Sequence, residues 1–352
     1  MIYYCLGKIK KRKRIMFDFI PTEYFLLAFG LILLIKGGDM FVDAASAIAK
    51  RFKLPELLIG ATVVSIGTTL PEVMTSAMGA VSGSGEIAYG NAIGSIICNT
   101  ALIAAITIAI KPGKADKKSM FFPVAFFFGA AAFYVTCAYA GGRFPRWAGI
   151  LLVSGFVFYM IMNVINMKKN PTAEEGEALP ECEMPEEKES NAAFVKDIFV
   201  LIAGAAIIAV GAYLLVESAT AIAEQLGIPE SVIGLTVVAI GTSLPELVTA
   251  ITSLLKGHGA LSLGNIIGAN IFNLVLVSGV AITISPFPVP ENSMLLGQNA
   301  SFVLDLPVML AVMGILTIPT LLRGKLSRWQ GISLLAIYAV FMFVQFVFVR
   351  AV

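Results

Sequence analysis

Two glutamates, Glu72 and Glu246, each follow a proline within an apolar run, in Gly67-Thr-Thr-Leu-Pro-Glu72 and Gly241-Thr-Ser-Leu-Pro-Glu246. A carboxylate at the centre of a membrane helix costs about 3 kcal/mol on insertion scales, so such a residue marks a functional site and calls for a partner. The prolines add ligands. Pro71 and Pro245 have no N–H to give to the carbonyls four residues back, Gly67 and Gly241, which become available as oxygen ligands. Helical spacing sets Thr68 on the face of Glu72 and Thr242 on that of Glu246, with Thr69 and Ser243 beside them. Farther along, Asn91, Ser95 and Asn99 share a face, mirrored by Asn265, Ala269 and Asn273. The inventory is two carboxylates with hydroxyl, amide and backbone oxygens, and no His or Cys. Hard oxygens suit Ca²⁺ or Na⁺ rather than Zn²⁺ or Cu²⁺, and two negative charges balance one Ca²⁺. Bare charges in a low-dielectric interior are costly, so a site of this kind should reorient only with cations bound, which implies exchange. Any single Ser, Thr or Asn also serves as glue between membrane helices; the paired Pro-Glu motifs have no such plain reading.

These residues lie in repeats. Residues 55–75 match 229–249 at 14 of 21 positions with a constant offset of 174. The offset continues without a gap into the next segment, where Gly90-Asn91-Ala-Ile-Gly94 meets Gly264-Asn265-Ile-Ile-Gly268, and it pairs Asp43 with Glu217. The four glycines give small-xxx-small patterns that allow close helix approach. Arg146-Trp147-Ala-Gly149 resembles Arg328-Trp329-Gln-Gly331 at an offset of 182.

The elements that must position the repeats are membrane helices. The chain of 352 residues is 58% hydrophobic and only 14% charged, with a mean hydropathy of +0.87, where soluble domains carry about 25% charged residues. Gly, Pro and charge clusters divide it into ten apolar segments, near 22–42, 55–81, 88–110, 120–140, 147–167, 197–216, 229–255, 260–284, 300–321 and 329–349, each long enough for a ~30 Å hydrocarbon core. The expectation is an all-α polytopic membrane protein of ten transmembrane helices. Five spans per half is odd, so the halves enter the membrane from opposite sides as inverted repeats, 22–167 and 197–352. Between them, 168–196 is rich in Glu and Pro and reads as an acidic, solvated linker.

Loop charge orients the chain. The loops after odd-numbered spans carry fifteen Lys and Arg, against Arg143, Arg146 and Arg350 on the other face. The first face is expected to be cytoplasmic, linker included, with both termini outside. The basic cluster from Lys8 to Arg14 opposes this assignment and changes the tally to fifteen against nine. Met16, just after it, is the expected true start, leaving 1–21 as an N-terminal extension. Lys36, Asp39, Asp43, Glu217 and Asp305 lie near span ends, where snorkelling or local pairing accounts for them. Cys5, Cys98, Cys137 and Cys182 show no ligand spacing, and His258 reads as a loop residue.

At the two Pro-Glu motifs and the Asn-containing helices that follow, the chain resembles the cation/Ca²⁺ exchanger superfamily. That superfamily's inverted repeats carry G-T-S-L-P-E followed by G-N-x-x-G-S-N-I-x-N, and the chain is most similar to the prokaryotic Na⁺/Ca²⁺ exchanger branch. The resemblance implies an antiporter of four clustered sites in the cell (inner or plasma) membrane. Glu72, Glu246 and the carbonyls of Thr68 and Thr242 would bind Ca²⁺. Na⁺ sites would share those carboxylates and add Thr69, Ser243, Ser95 and the carbonyls of Ser65 and Ala239, with Asn99 and Asn273 lining the middle site. Ala269 replaces the serine of the motif, Ile96 replaces an asparagine, and Asn273 stands where some relatives have aspartate. The proton-coupled branch resembles G-N-x-x-E with a nearby histidine, which this sequence lacks there, so Na⁺ coupling is expected over H⁺ coupling, the alternative being an H⁺- or K⁺-coupled antiporter.

Ca²⁺ and Na⁺ are thus the expected partners, as transported ions, with the lipid bilayer around a chain that works as a monomer without a cofactor. A Ca²⁺ channel would use similar ligands but needs a continuous pore, usually from symmetric subunits. An intramembrane protease would resemble Tyr-Asp and Gly-x-Gly-Asp motifs that are absent, so no enzyme is expected. No basic face interleaved with aromatics points to nucleic acid, and the linker lacks the spacing of an EF-hand loop.

Overall fold

The computed structural model describes residues 22–52, 56–83, 85–169, 191–225, 241, 243–290, 293–348 and 350–351. Ten helical segments follow in chain order: α1 (Thr22–Arg51), α2 (56–81), α3 (Gly85–Ile110), α4 (Lys117–Gly141), α5 (Arg146–Lys169), α6 (Asn191–Gln225), α7 (Leu244–Leu255), α8 (Gly259–Ile284), α9 (Ser301–Arg323) and α10 (Arg328–Val347). Among the described residues, all but α7 contain a stretch long and apolar enough to cross a membrane. The first part of the expected seventh span, 229–240, lies outside the described residues.

Helices α1 and α6 overrun their apolar segments. At 1.5 Å per residue the 35 residues of α6 reach about 50 Å, well beyond the hydrocarbon core. Their charged ends therefore stand on helix rather than in loops. Likewise α5 runs to Lys169 and α6 begins at Asn191, so helix enters both ends of the expected 168–196 linker.

Packing follows the repeat. α1 and α6 lie along each other at glycines. A Cβ at Gly37 would stand 3.0 Å from Ile208 N, and at Gly211 2.9 Å from Leu34 N, the same contact seen from the other repeat. α5 packs on the second half of α8 and α10 on the second half of α3. A Cβ at Gly149 would meet Thr283 N at 2.7 Å, and one at Gly331 would meet Ala109 N at 2.7 Å. Residues 109 and 283 are themselves 174 apart, so the two Arg-Trp-x-Gly motifs seat equivalent helices in equivalent grooves. The turns match as well. Gly83 N donates to Ala80 O at 3.1 Å and Gly257 N to Leu254 O at 3.2 Å, both glycines having positive φ.

At the centre, α2 crosses α8 almost backbone to backbone. A Cβ on Gly264 would overlap the Leu57 carbonyl, and one on Gly268 would overlap Ser65 Oγ. Gly264→Ala is therefore expected to cost about 1–3 kcal/mol by overpacking, read as a lower thermal unfolding midpoint in lipid nanodiscs. Gly129→Ala, whose added Cβ meets no atom within 4 Å, should leave the midpoint unchanged or raise it.

Candidate cation site

The tight α2–α8 crossing puts the first Pro-Glu motif at the middle of the molecule. Pro71 lies inside α2, while Pro245 lies in the first turn of α7 with Ser243 as its N-cap. Glu72 and Glu246 are both wholly buried, and close enough to repel each other. Ser65, Thr68, Thr69, Ser95, Asn99, Ser243 and Asn273 are buried too. Thr242 and Ala239 lie outside the described residues.

Buried polar groups are almost always hydrogen-bonded, because leaving one bare costs the full desolvation. Here the bare atoms coincide with the expected ligands. Among the described residues, neither carboxylate oxygen of Glu72 has a hydrogen-bond partner, nor has Oε2 of Glu246; the same is true of both amide atoms of Asn99 and of Asn273. Glu246 Oε1 accepts from Thr69 Oγ1 at 3.4 Å, and the Thr68 hydroxyl lies close to the same carboxylate. Ser243 Oγ makes no bond of ordinary geometry and faces the Cys98 thiol. No group of three or more His, Cys, Asp or Glu comes together among the described residues. The carboxylate pair is completed by neutral oxygens, the surroundings a hard cation requires.

Each of the two open amides sits where its helix changes pitch. Asn99 begins the π turn Asn99–Ala104 in α3, and Asn273 begins the π turn Asn273–Val277 in α8. The first turn packs against α7, which carries Glu246, and the second against α2, which carries Glu72. Single π turns recur at functional sites because the extra residue re-aims a side chain.

Two asparagines on the same helix faces behave differently. Asn265 Nδ2 donates to Thr249 Oγ1 at 2.9 Å, and its Oδ1 accepts from Ser65 Oγ at 3.2 Å and Thr68 Oγ1 at 3.3 Å. Asn91 Nδ2 donates to Glu72 O at 3.1 Å and Ser76 Oγ at 2.8 Å. Both are braces. The Ser65 hydroxyl is likewise committed, donating within reach of Gly60 O at 2.8 Å and Asn265 O at 3.0 Å. Composition and spacing gave no notice of Cys98, which lies against Ser243 and Tyr338 and near both carboxylates. A small residue directly before Asn99 was the one available signal.

A family model described as sodium/calcium exchanger protein matches residues 22–165 and 196–347, one block on each repeat. The chain belongs to the sodium/calcium exchanger family. Among similar proteins, sodium/calcium exchanger MaX1 of Methanosarcina acetivorans is 33% identical over 93% of this chain and 99% of its own length. The inner membrane protein YrbG of Escherichia coli is 35% identical over 74% of this chain and 79% of its own. Structures of the sodium-calcium exchanger NCX_Mj are similar throughout; one soaked with Na⁺ and Sr²⁺ aligns with a TM-score of 0.74 at 32% identity, covering 91% of this chain and 98% of that one. This member of the sodium/calcium exchanger family is thus an all-α integral membrane protein of ten-helix architecture, with relatives that are transporters.

The braces and the bare oxygens make separable contributions in this family member. Asn265→Ala is expected to lower stability by about 1–3 kcal/mol, since Ser65, Thr68 and Thr249 lose a shared partner. Adding Ca²⁺ is expected to raise the melting temperature by linkage if the bare oxygens bind it; that rise should persist in Asn265→Ala and vanish in Glu72→Gln, as read by thermal scans of purified protein.

Proposed function

We propose that this chain is a Na⁺/Ca²⁺ antiporter working by alternating access, with Glu72 and Glu246 shared between the ions at the midplane. The observation that carries this reading is the pair of buried carboxylates, one from each repeat, with three of their four oxygens unbonded among the described residues. Ca²⁺ neutralises the pair with the Thr68 and Thr242 carbonyls. Na⁺ ions use the same carboxylates with Thr69, Ser243, Ser95 and the Ser65 and Ala239 carbonyls, and Asn99 and Asn273 line the middle position. Because one carboxylate cluster serves both ions, they compete, and competition is what coupling requires.

An ion-free site holds two like charges away from water, and reorienting it across the membrane core is strongly opposed. Transport in one direction therefore waits for return with the other ion. Both carboxylates come from one chain, so a monomer contains a complete site. The Lys and Arg bias of the loops supports termini outside and the 168–196 linker in the cytoplasm.

The test is uptake of radiolabelled Ca²⁺ into proteoliposomes under outward gradients of Na⁺, K⁺ or H⁺. The Na⁺ gradient alone should drive uptake, and Glu72→Gln and Glu246→Gln should each reduce it to background. Uptake driven equally by K⁺ or H⁺ would reassign the coupling ion. Uptake needing no counter-ion gradient would indicate a channel, and full activity in either glutamine variant would remove the site.

A further inference from the structure

Lys256, in the turn between α7 and α8, reaches across the repeats to α1. Its Nζ donates to Asp43 Oδ1 at 2.8 Å and to Asp39 O at 3.1 Å, and stands 3.3 Å from Asp39 Oδ1. Partial burial works against its charge, but the Asp43 and Asp39 carboxylates outweigh it and hold the ammonium above the usual lysine range. Next to this ion pair, α1 touches α7 closely at Gly38, where a Cβ would come within 2.6 Å of Val248 Cγ1.

The repeat offset shows that both features exist on one side only. Lys256 maps to Ser82, in the equivalent α2–α3 turn, while Asp43 maps to Glu217 on α6. The acid is present in both repeats, and the base in one. Gly38 maps to Ala212, so glycine stands at this position in one repeat only. In an inverted repeat, the conformer open to the opposite face is approximately this one with the two repeats exchanging roles. Exchange would replace the Lys256–Asp43 pair by Ser82 opposite Glu217, which forms no ion pair.

We infer that Lys256, Asp43 and Asp39 form a one-sided latch that biases the transporter toward the conformer in which α1 is closed on α7. This rests on the alternating-access reading above. The carboxylates are partly solvent-exposed, so the bias is modest: pairs of this kind contribute up to about 1 kcal/mol, or about fivefold in population.

The experiment is hydrogen–deuterium exchange of the full chain in nanodiscs, followed at both ends of the bundle. Residues 36–51 and 250–262 report the latched end, and residues 76–90 and 206–221 the opposite end. Lys256→Met should raise exchange at the latched end by about two- to fivefold and lower it at the opposite end. Ser82→Lys, which supplies Glu217 with an ammonium, should do the reverse, while neither change touches the ion site. An effect of Lys256→Met confined to its own end would mean a local contact and would overturn the latch. If wild-type protein itself shows no reciprocal change at the two ends between saturating Ca²⁺ and saturating Na⁺, alternating access fails, and the latch with it. A reciprocal wild-type response with both variants unchanged removes the latch alone.

Discussion

Two carboxylates share one low-dielectric interior, and the rest of the molecule answers to that constraint. Glu72 and Glu246 are buried, mutually repulsive and largely without hydrogen bonds, a combination that lowers stability unless a cation is available to pair with them. A soluble protein would hydrate such a pair. A membrane bundle cannot, and on the proposed function the energy stored in the site would make ion binding and conformational change one process.

Holding the pair in place takes tight packing around a deliberately loose centre. Glycines let α1 approach α6, α2 approach α8, and α5 and α10 seat on their partners, so that backbones meet at about 3 Å from a hypothetical Cβ. Without a hydrophobic drive between helices in lipid, such close contact supplies the association energy. The braces Asn91 and Asn265 then tie the glutamate-bearing helices to α3 and α8. Asn99 and Asn273, two turns farther on, stay unbonded among the described residues. Satisfied amides fix the frame, and the unsatisfied ones are those proposed to line the ion site.

Symmetry in this chain is exact enough to make its breaks informative. Asn273 repeats Asn99, and the π turns they begin repeat with them. Ala269 does not repeat Ser95, which removes a hydroxyl from one half of the cage, and Ser82 does not repeat Lys256. On the proposed antiport reading, the first difference bears on which ions the two halves hold, the second on which face the resting molecule prefers.

Linear order carried a large part of this. Membrane insertion depends on local composition, and repeats are detected by identity at a fixed offset, so the helical class, the halves, the glutamates and the hard-oxygen character of their surroundings were all legible without coordinates. Spacing, however, gives a face and not a depth. Asn91 and Asn99 lie on one face but about 12 Å apart along the axis, and only packing determines that the first bonds Ser76 while the second stays open. The π turn that re-aims Asn99 has no sequence signal, because it depends on what the helix meets. Pairing of Lys256 with Asp39 and Asp43 joins residues more than 200 positions apart. Near a span end each charge alone is explained by water; the tertiary fold made them partners by carrying α1 past the α7–α8 turn.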